Sequence, residues 1–408
     1  MLATLLPHSG ESNQTLSNFS WAVAVAIAPL AAGAYAYLVY PAILWTVAAL
    51  RAKRVRQLEP TAWPTVTVTV PVYNAVSTIR TTLERLIAID YPRDRLQLLV
   101  MSDASTDGTD DVVREFAGSG VELARADERR GKTAAENAAV CLARGDIIVN
   151  VDATVIVPAG SLKHLVSAFS DPTVGVVSGR DLSVDIRGAS TGSAEAGYTG
   201  YEMWVRDLET AVSSIVGASG CFFGVRRDIH LNPLPPELSW DFASPLVARK
   251  LGYRSVSVPQ AVCLVPRTPA IRTELRRKSR TMTRGLSTLF HFRALMNPFR
   301  YGGFALMLVS HKLLRWVPYL LIPPALLALG VLAISNDAAA IALGVVAVGL
   351  SAGLWTIWYG GTSMWKPLAL AGFVVAALNA GFLAWIDALR GRQTATWNPT
   401  PRATVSVA

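Results

Sequence analysis

Three carboxylates of this 408-residue chain stand where a carboxylate can do chemistry: Asp103, Asp152 and Asp241. Asp103 and Asp152 each follow a short apolar run, Arg95–Met101 (RLQLLVM) and Asp146–Val151 (DIIVNV), and so lie just past expected strands. At such a place Asp103 can hydrogen-bond a base or a ribose. Asp152 offers hard oxygens of the kind that Mg²⁺ or Mn²⁺ takes when it bridges a diphosphate. Asp241 follows a proline-rich stretch (Pro233, Pro235, Pro236) and lies between Trp240 and Phe242. There it can cap a helix, or, partly desolvated by its aromatic neighbours, act as a general base.

The basic residues suit the same chemistry. Arg129-Arg130-Gly131-Lys132 precedes an expected helix, whose free N–H groups attract anions, although the spacing is not that of a P-loop. Between Arg267 and Arg300 stand nine Lys and Arg residues and a single acid, Glu274. Arg276, Arg280 and Arg284 recur every fourth position, a helical stripe able to reach phosphates or an anionic membrane face. Nucleic acid is not the expected partner, because the run adjoins an apolar span and lacks interleaved aromatics for base stacking. Cys141, Cys221 and Cys263 are scattered without metal-ligand spacing and read as small hydrophobes.

Elements that could position these groups alternate between strand and helix. Thr65–Val72 (TVTVTVPV) reads as a strand with Val66, Val68, Val70 and Val72 on one face, and Asn74 as the cap of a helix to about Ala88. Asp107-Gly108-Thr109 opens a helix to Phe116, and a further helix spans Lys132–Ala143. This alternation predicts an α/β domain with a mostly parallel sheet, whose ligands gather at the carboxyl ends of the strands. Tyr73-Asn74, Ser102-Asp103 and Asp152-Ala153-Thr154 mark those ends.

The remainder of the chain points to lipid. Half the residues (51%) are hydrophobic and only 16% charged, and the formal net charge is +9. Residues Trp21–Leu50 carry no charge. As a helix they would reach about 45 Å, more than the roughly 30 Å of a hydrocarbon core. Arg51, Lys53, Arg54 and Arg56 follow directly, which places the N-terminus outside and the next segment in the cytoplasm. Trp316–Ile334, Ala338–Tyr359 and Pro367–Ile386 are three further charge-free spans, joined by Ser335-Asn336-Asp337 and Gly360-Gly361-Thr362-Ser363. Three crossings would leave the C-terminus outside, whereas Arg390, Arg392 and Arg402 argue for inside. Either the charge rule fails at this end of the chain, or Phe304–Arg315 enters the membrane partially. The expected division is an outer N-terminus (1–20), an anchor (21–50), a cytoplasmic domain (51–265), basic interfacial helices (266–315), a membrane bundle (316–388) and a tail (389–408).

Taken in order, these residues resemble the family 2 glycosyltransferases, in particular membrane-embedded enzymes similar to poly-N-acetylglucosamine, cellulose, hyaluronan and chitin synthases. Val70-Pro71-Val72-Tyr73-Asn74 resembles the opening strand, Ser102–Thr109 the motif whose first Asp binds the nucleoside, and Gly131–Asn137 the GKxxAxN helix start. Asp152 falls at the first position of DxD, and Ser219–Arg227 resembles the acceptor-side strand. Asp241 falls on the second acid of (T)ED, and Arg280 on the Arg of QxxRW. Thr154 stands in place of the second DxD aspartate, Trp240 ahead of the base, and Thr281 in place of the QxxRW Trp.

The resemblance implies a GT-A nucleotide-sugar domain with one transmembrane helix before it and about three after it. It implies inverting transfer from a UDP-sugar to a glycan or lipid-linked acceptor, at the cytoplasmic face of the plasma membrane. Asp241 would be the base, and Pro71, Tyr73, Asn74, Asp103, Lys132, Asp152 and Arg280 would bind the donor. Gly220, Cys221 and Trp240 would bind the acceptor, with Mg²⁺ or Mn²⁺ held on Asp152. The alternative is a membrane-bound, UDP-binding subunit whose catalytic site is degenerate.

Overall fold

The computed structural model describes residues 9–51, 60, 62–184, 194–266, 271–359, 365–392 and 395–396. Lys53, Arg54, Arg56, Arg267, Arg402 and the Gly360–Ser363 turn lie outside the described residues. The helices, in chain order, are α1 (Ser9–Ala34), α2 (Tyr40–Arg51), α3 (Ile79–Ile87), α4 (Thr109–Arg114), α5 (Lys132–Leu142), α6 (Ser161–Ser167), α7 (Ala194–Val212), α8 (Arg227–His230), α9 (Trp240–Lys250), α10 (Ile271–His291), α11 (Pro298–Tyr301), α12 (Gly303–Leu308), α13 (Leu314–Ala333), α14 (Asp337–Tyr359) and α15 (Lys366–Leu389). The strands are β1 (Val66–Val72), β2 (Leu96–Ser102), β3 (Val121–Arg125), β4 (Ile147–Val151), β5 (Val174–Val184), β6 (Phe222–Arg226) and β7 (Arg254–Pro266).

The chain divides into two compact units. The first comprises residues 41–270, 284–308 and 392–408, and the second comprises 1–40, 271–283 and 309–391. The first is an α/β domain on a seven-stranded sheet of order β3-β2-β1-β4-β6-β5-β7. β1 pairs in parallel with β2 and β4, β2 with β3, and β5 with β7, while β6 runs antiparallel to both its neighbours. The sheet is therefore mostly parallel, as the strand–helix alternation requires.

β1 is buried on both faces, not on the valine face alone. Thr67 and Thr69 are accepted in the interior because their hydroxyls donate to Gln97 Oε1 (2.8 Å) and Asn150 Oδ1 (2.9 Å) on the flanking strands. Asn74 does not cap the following helix, which begins at Ile79 behind Thr78. It sits in the left-handed region (φ 48°), and its Oδ1 accepts from Thr106 N–H at 2.8 Å, tying the end of β1 to the loop after β2.

The second unit is helical. Four helical runs of the chain, Ser20–Leu50, Gly303–Ala333, Asp337–Tyr359 and Leu370–Leu389, are long and apolar enough to cross a membrane, with residues 41–50 and 303–308 counted in the first unit. The first run includes a π-helical turn at Tyr35–Val39, and the second begins thirteen residues before the expected Trp316, through a π turn at Val309–Leu313. His311 and Arg315 are buried there, with the Arg315 guanidinium over the Tyr37 ring (5.0 Å). α15 runs antiparallel to α13: the Trp385 indole N–H donates to Trp316 O (2.8 Å), while Gly381, four residues earlier, packs on Tyr319.

Candidate active site

The strand ends of the α/β domain converge as the sheet topology predicts. Asp103, only 1% exposed, is tied by both oxygens to backbone N–H groups, Oδ1 to Arg130 and Oδ2 to Gly131, each at 2.8 Å. Its carboxylate thus shapes the turn that opens α5. Beside it, the Arg129 guanidinium lies over the Tyr73 ring at 3.8 Å. Pro71 is buried in β1 opposite Met101 of β2, within the same strand-end layer.

Gly131 takes φ +98°, and a Cβ on it would lie 2.1 Å from the Ala395 carbonyl oxygen. Only glycine admits this backbone and this neighbour. The C-terminal stretch therefore passes directly over the start of α5.

α5 presents two rows of side chains. One carries Lys132 and Glu136. Lys132 Nζ donates to Asp152 Oδ1 (2.6 Å) and to the Gly220 carbonyl (3.1 Å), and lies 3.8 Å from Glu136. Burial alone would lower the Lys132 pKa, but the fields of Asp152, Glu136 and Asp241 outweigh it and hold the ammonium well above its usual range. Glu136 is 2% exposed, and burial, only partly offset by Lys132, pushes its carboxyl up to about 7.

Asp241 occupies the first turn of α9, behind Ser239. Its Oδ1 accepts from the Ser239 hydroxyl and from Phe242 N–H (2.9 Å). Its Oδ2 faces Gly220, where a Cβ would come within 3.0 Å. An alanine at 220 would press on the carboxylate. Gly220 thus links the groups, since its carbonyl holds Lys132 and its bare Cα leaves room for Asp241.

The other row of α5 holds the loop ahead of α9. Thr133 Oγ1 donates to Leu238 O (2.7 Å), and the Asn137 Nδ2 amide to Leu234 O (2.8 Å). Arg284 donates to Thr133 Oγ1 (2.7 Å) and to Leu238 O. Burial lowers the Arg284 pKa against the opposing pull of Asp241, Glu136 and Glu237. Asp152, Lys132, Glu136, Asp241 and Arg284 therefore form one electrostatic cluster.

Most of the expected site residues meet here: Pro71, Tyr73, Asn74 and Asp103 on one flank, Lys132, Asp152, Gly220 and Asp241 on the other. Cys221 is half-buried, its carbonyl accepting from Asp152 N–H (3.1 Å). Trp240 corrects an expectation. It is 1% exposed, stacked on His230 (4.0 Å between centroids) with its indole N–H bonded to Asn137, so it packs behind Asp241 and is not available to an acceptor. Arg280 belongs to the helical unit, whereas Arg284, one turn later, belongs to the α/β domain. Glu136 and Asn137, inside the Gly131–Asn137 stretch, and Arg284, in the basic stripe, are not among the residues that the sequence assigns individually to the site. The i, i+4 pairing of Lys132 with Glu136 and of Thr133 with Asn137 was the available signal.

Among the described residues no group of three or more His, Cys, Asp or Glu side chains could hold a metal ion. Asp152, at the rim of the cluster with a quarter of its side chain exposed, is the carboxylate that could share a cation with a phosphate-bearing ligand.

The glycosyl transferase family 2 model matches residues 67–231. The mannosyltransferase PcManGT of Pyrobaculum calidifontis, solved with GDP-Man and Mn²⁺, is 26% identical, with a TM-score of 0.68 over 91% of this chain and 99% of that one. Glycosyltransferase AglE of Haloferax volcanii is 27% identical over 43% of this chain and 57% of its own length. An N-acetylglucosaminyltransferase of Mesorhizobium japonicum is 28% identical over 52% of this chain and 55% of its own. The chain spans little more than half the length of these two curated relatives. The matched segment begins in β1, ends just past α8 and contains Tyr73, Asp103, Lys132, Asp152 and Gly220, so these site residues lie within the stretch that matches a glycosyl transferase family 2 domain.

Proposed function

We propose that this chain transfers a glycosyl group, with inversion, from a nucleoside-diphosphate sugar to an acceptor hydroxyl at a membrane face, in polysaccharide or glycolipid synthesis. The observation that carries this reading is the meeting of two groups at Gly220. Its bare Cα faces the Asp241 Oδ2, whose partner oxygen is fixed by Ser239 and Phe242, and its carbonyl accepts from Lys132, which pairs with Asp152.

Asp241 Oδ2 takes the proton of the acceptor hydroxyl as that oxygen bonds to the anomeric carbon. The bond from that carbon to the diphosphate oxygen breaks, and the nucleoside diphosphate leaves with the electron pair. Lys132 stands beside the position of the developing phosphate charge, already aligned by Asp152 and the Gly220 carbonyl. Tyr73 offers the base a ring face, and Asp103 holds the backbone of the phosphate-side turn. Arg280 is proposed as a further donor contact and Cys221 as an acceptor contact. A divalent cation, Mg²⁺ or Mn²⁺, would be held by Asp152 together with the donor phosphates and would supply Lewis-acid neutralisation of the leaving group. Thr154 brings no second carboxylate, so the affinity for the free ion should be low and should rise when donor is present.

Membranes bearing the protein, given labelled UDP-sugars and GDP-sugars in turn, test the reading. Uridine donors come from the family resemblance; guanosine donors enter because the Pyrobaculum enzyme was solved with GDP-Man. One donor should yield nucleotide release coupled to glycan or glycolipid product, and chelation should reduce it by about 10²-fold or more. Release and product both absent with every donor would overturn it.

The catalytic face is proposed as cytoplasmic, at the plasma membrane, with the C-terminal tail on the same side. The contact of Ala395 with Gly131 and the antiparallel run of α15 against α13 support this, as do Arg390 and Arg392. One of the three C-terminal apolar segments then enters the bilayer without crossing it. A cysteine added at the C-terminus of a cysteine-free variant should be labelled from the same side as one placed on Glu128; labelling from the opposite side would reject the shared-side topology.

A further inference from the structure

We infer that Asn137 is the positioning residue for the catalytic base, acting through Trp240. This rests on the reading of Asp241 as that base. The Asn137 amide is engaged on both of its polar atoms. Oδ1 accepts from the Trp240 indole N–H at 2.7 Å and from Leu234 N–H at 3.3 Å, while Nδ2 donates to Leu234 O at 2.8 Å. A short neutral bond to an indole N–H is directional, because that group can only donate. Trp240 is buried and stacks on His230, with centroids 4.0 Å apart and planes 25° apart. Stacking and packing are non-directional, and the N–H bond to Asn137 adds the directional restraint that fixes where the indole edge sits.

The position of Trp240 passes directly to Asp241. Both lie in the first turn of α9, and Ala218 N–H donates to the Asp241 carbonyl at 2.9 Å, so the turn is held from two directions. Asn137 and Thr133 lie one turn apart on the row of α5 next to Lys132 and Glu136. One helix thus carries the cation that meets the phosphates and the amide that locates the base. Asn137 sets the distance between them without touching substrate. Trp240 stands where the (T)ED pattern often has an acid. Its indole N–H supplies a donor that a carboxylate lacks, and Asn137 has the acceptor that matches it.

The test is a double-mutant cycle of Asn137→Ala and Trp240→Phe, read as kcat and as KM for the donor identified by the screen. Trp240→Phe keeps an aromatic ring but loses the N–H together with the five-membered ring, whereas Asn137→Ala leaves the whole indole in place and removes its acceptor. A shared kcat signature in the two variants, with donor KM retained, therefore guards against simple unfolding. Each single variant should lower kcat by roughly 10- to 100-fold, because a displacement of about 1 Å is costly in a positioned reaction. Donor KM should stay within about threefold of wild type, and the double variant should be no slower than the slower single one. Wild-type kcat in Trp240→Phe, effects that multiply in the double variant, or a loss confined to KM would each overturn the inference. Asp241→Asn, assayed beside them, separates the two ideas. If it is inactive while Trp240→Phe is fully active, the positioning role fails alone; if it turns over normally, the base assignment itself has failed.

Discussion

Replacing Asp241 by Asn should abolish sugar transfer while leaving nucleotide binding nearly intact. The substitution keeps the size of the side chain and keeps an oxygen that can accept from Ser239 and from Phe242 N–H (2.9 Å). It places an amide nitrogen, which cannot accept a proton, on the side that faces Gly220. General-base catalysis contributes about 10²–10⁴-fold to such a step, so turnover should fall by at least that range. The groups assigned to the nucleotide are held by other contacts: Asp103 by two backbone N–H groups, and Lys132 by Asp152 and the Gly220 carbonyl. Titration calorimetry with the nucleoside diphosphate should therefore give an affinity within a few-fold of wild type. Wild-type turnover would remove Asp241 as the base, and lost nucleotide affinity would show that it supports the donor site as well.

What the sequence reveals depends on whether a signal is local. The strand-end carboxylates were legible because a buried parallel strand is a short apolar run and its carboxyl end is the next residue. Asp103 and Asp152 follow from that rule alone. The spans were legible from charge-free length, but the true start of the second run at Gly303 was not, since His311, Lys312 and Arg315 break the apolar pattern. Their acceptance depends on partners distant in sequence, such as Tyr37 beneath Arg315. β1 misled in the same way. Its Thr residues alternate like a solvent face, and only Gln97 and Asn150, from two other strands, show that the face is interior. Likewise the stripe Arg276–Arg280–Arg284 identified a helix face but not the contacts of Arg284 with Thr133 and the Leu238 carbonyl, which are a tertiary fact.

Replacing Lys132 by Met should be as damaging as losing the base, with a different signature. Met keeps most of the stem but removes the ammonium that bonds Asp152 at 2.6 Å and the Gly220 carbonyl at 3.1 Å. Transfer should fall on the order of 10²–10³-fold, the usual cost of one preorganised contact to developing charge. Nucleotide affinity should fall with it, unlike the result at Asp241. The pH dependence of stability should change too. Burial already raises the Glu136 carboxyl from its ordinary 4.5 to about 7, while Lys132 restrains the rise. A carboxyl whose folded pKa lies above its unfolded one binds more protons when folded, so stability declines as pH rises from about 4.5 through about 7 and then levels off. Without Lys132 the folded pKa moves higher, and the decline continues above pH 7. Thermal unfolding of the solubilised protein between pH 5 and 9 should show that extended fall in Lys132→Met. Adding Glu136→Gln should abolish it, because the amide has no proton to lose. Parallel melting curves for wild type and Lys132→Met across this range would mean that the two side chains do not share a field, and the electrostatic cluster around α5 would have to be redrawn.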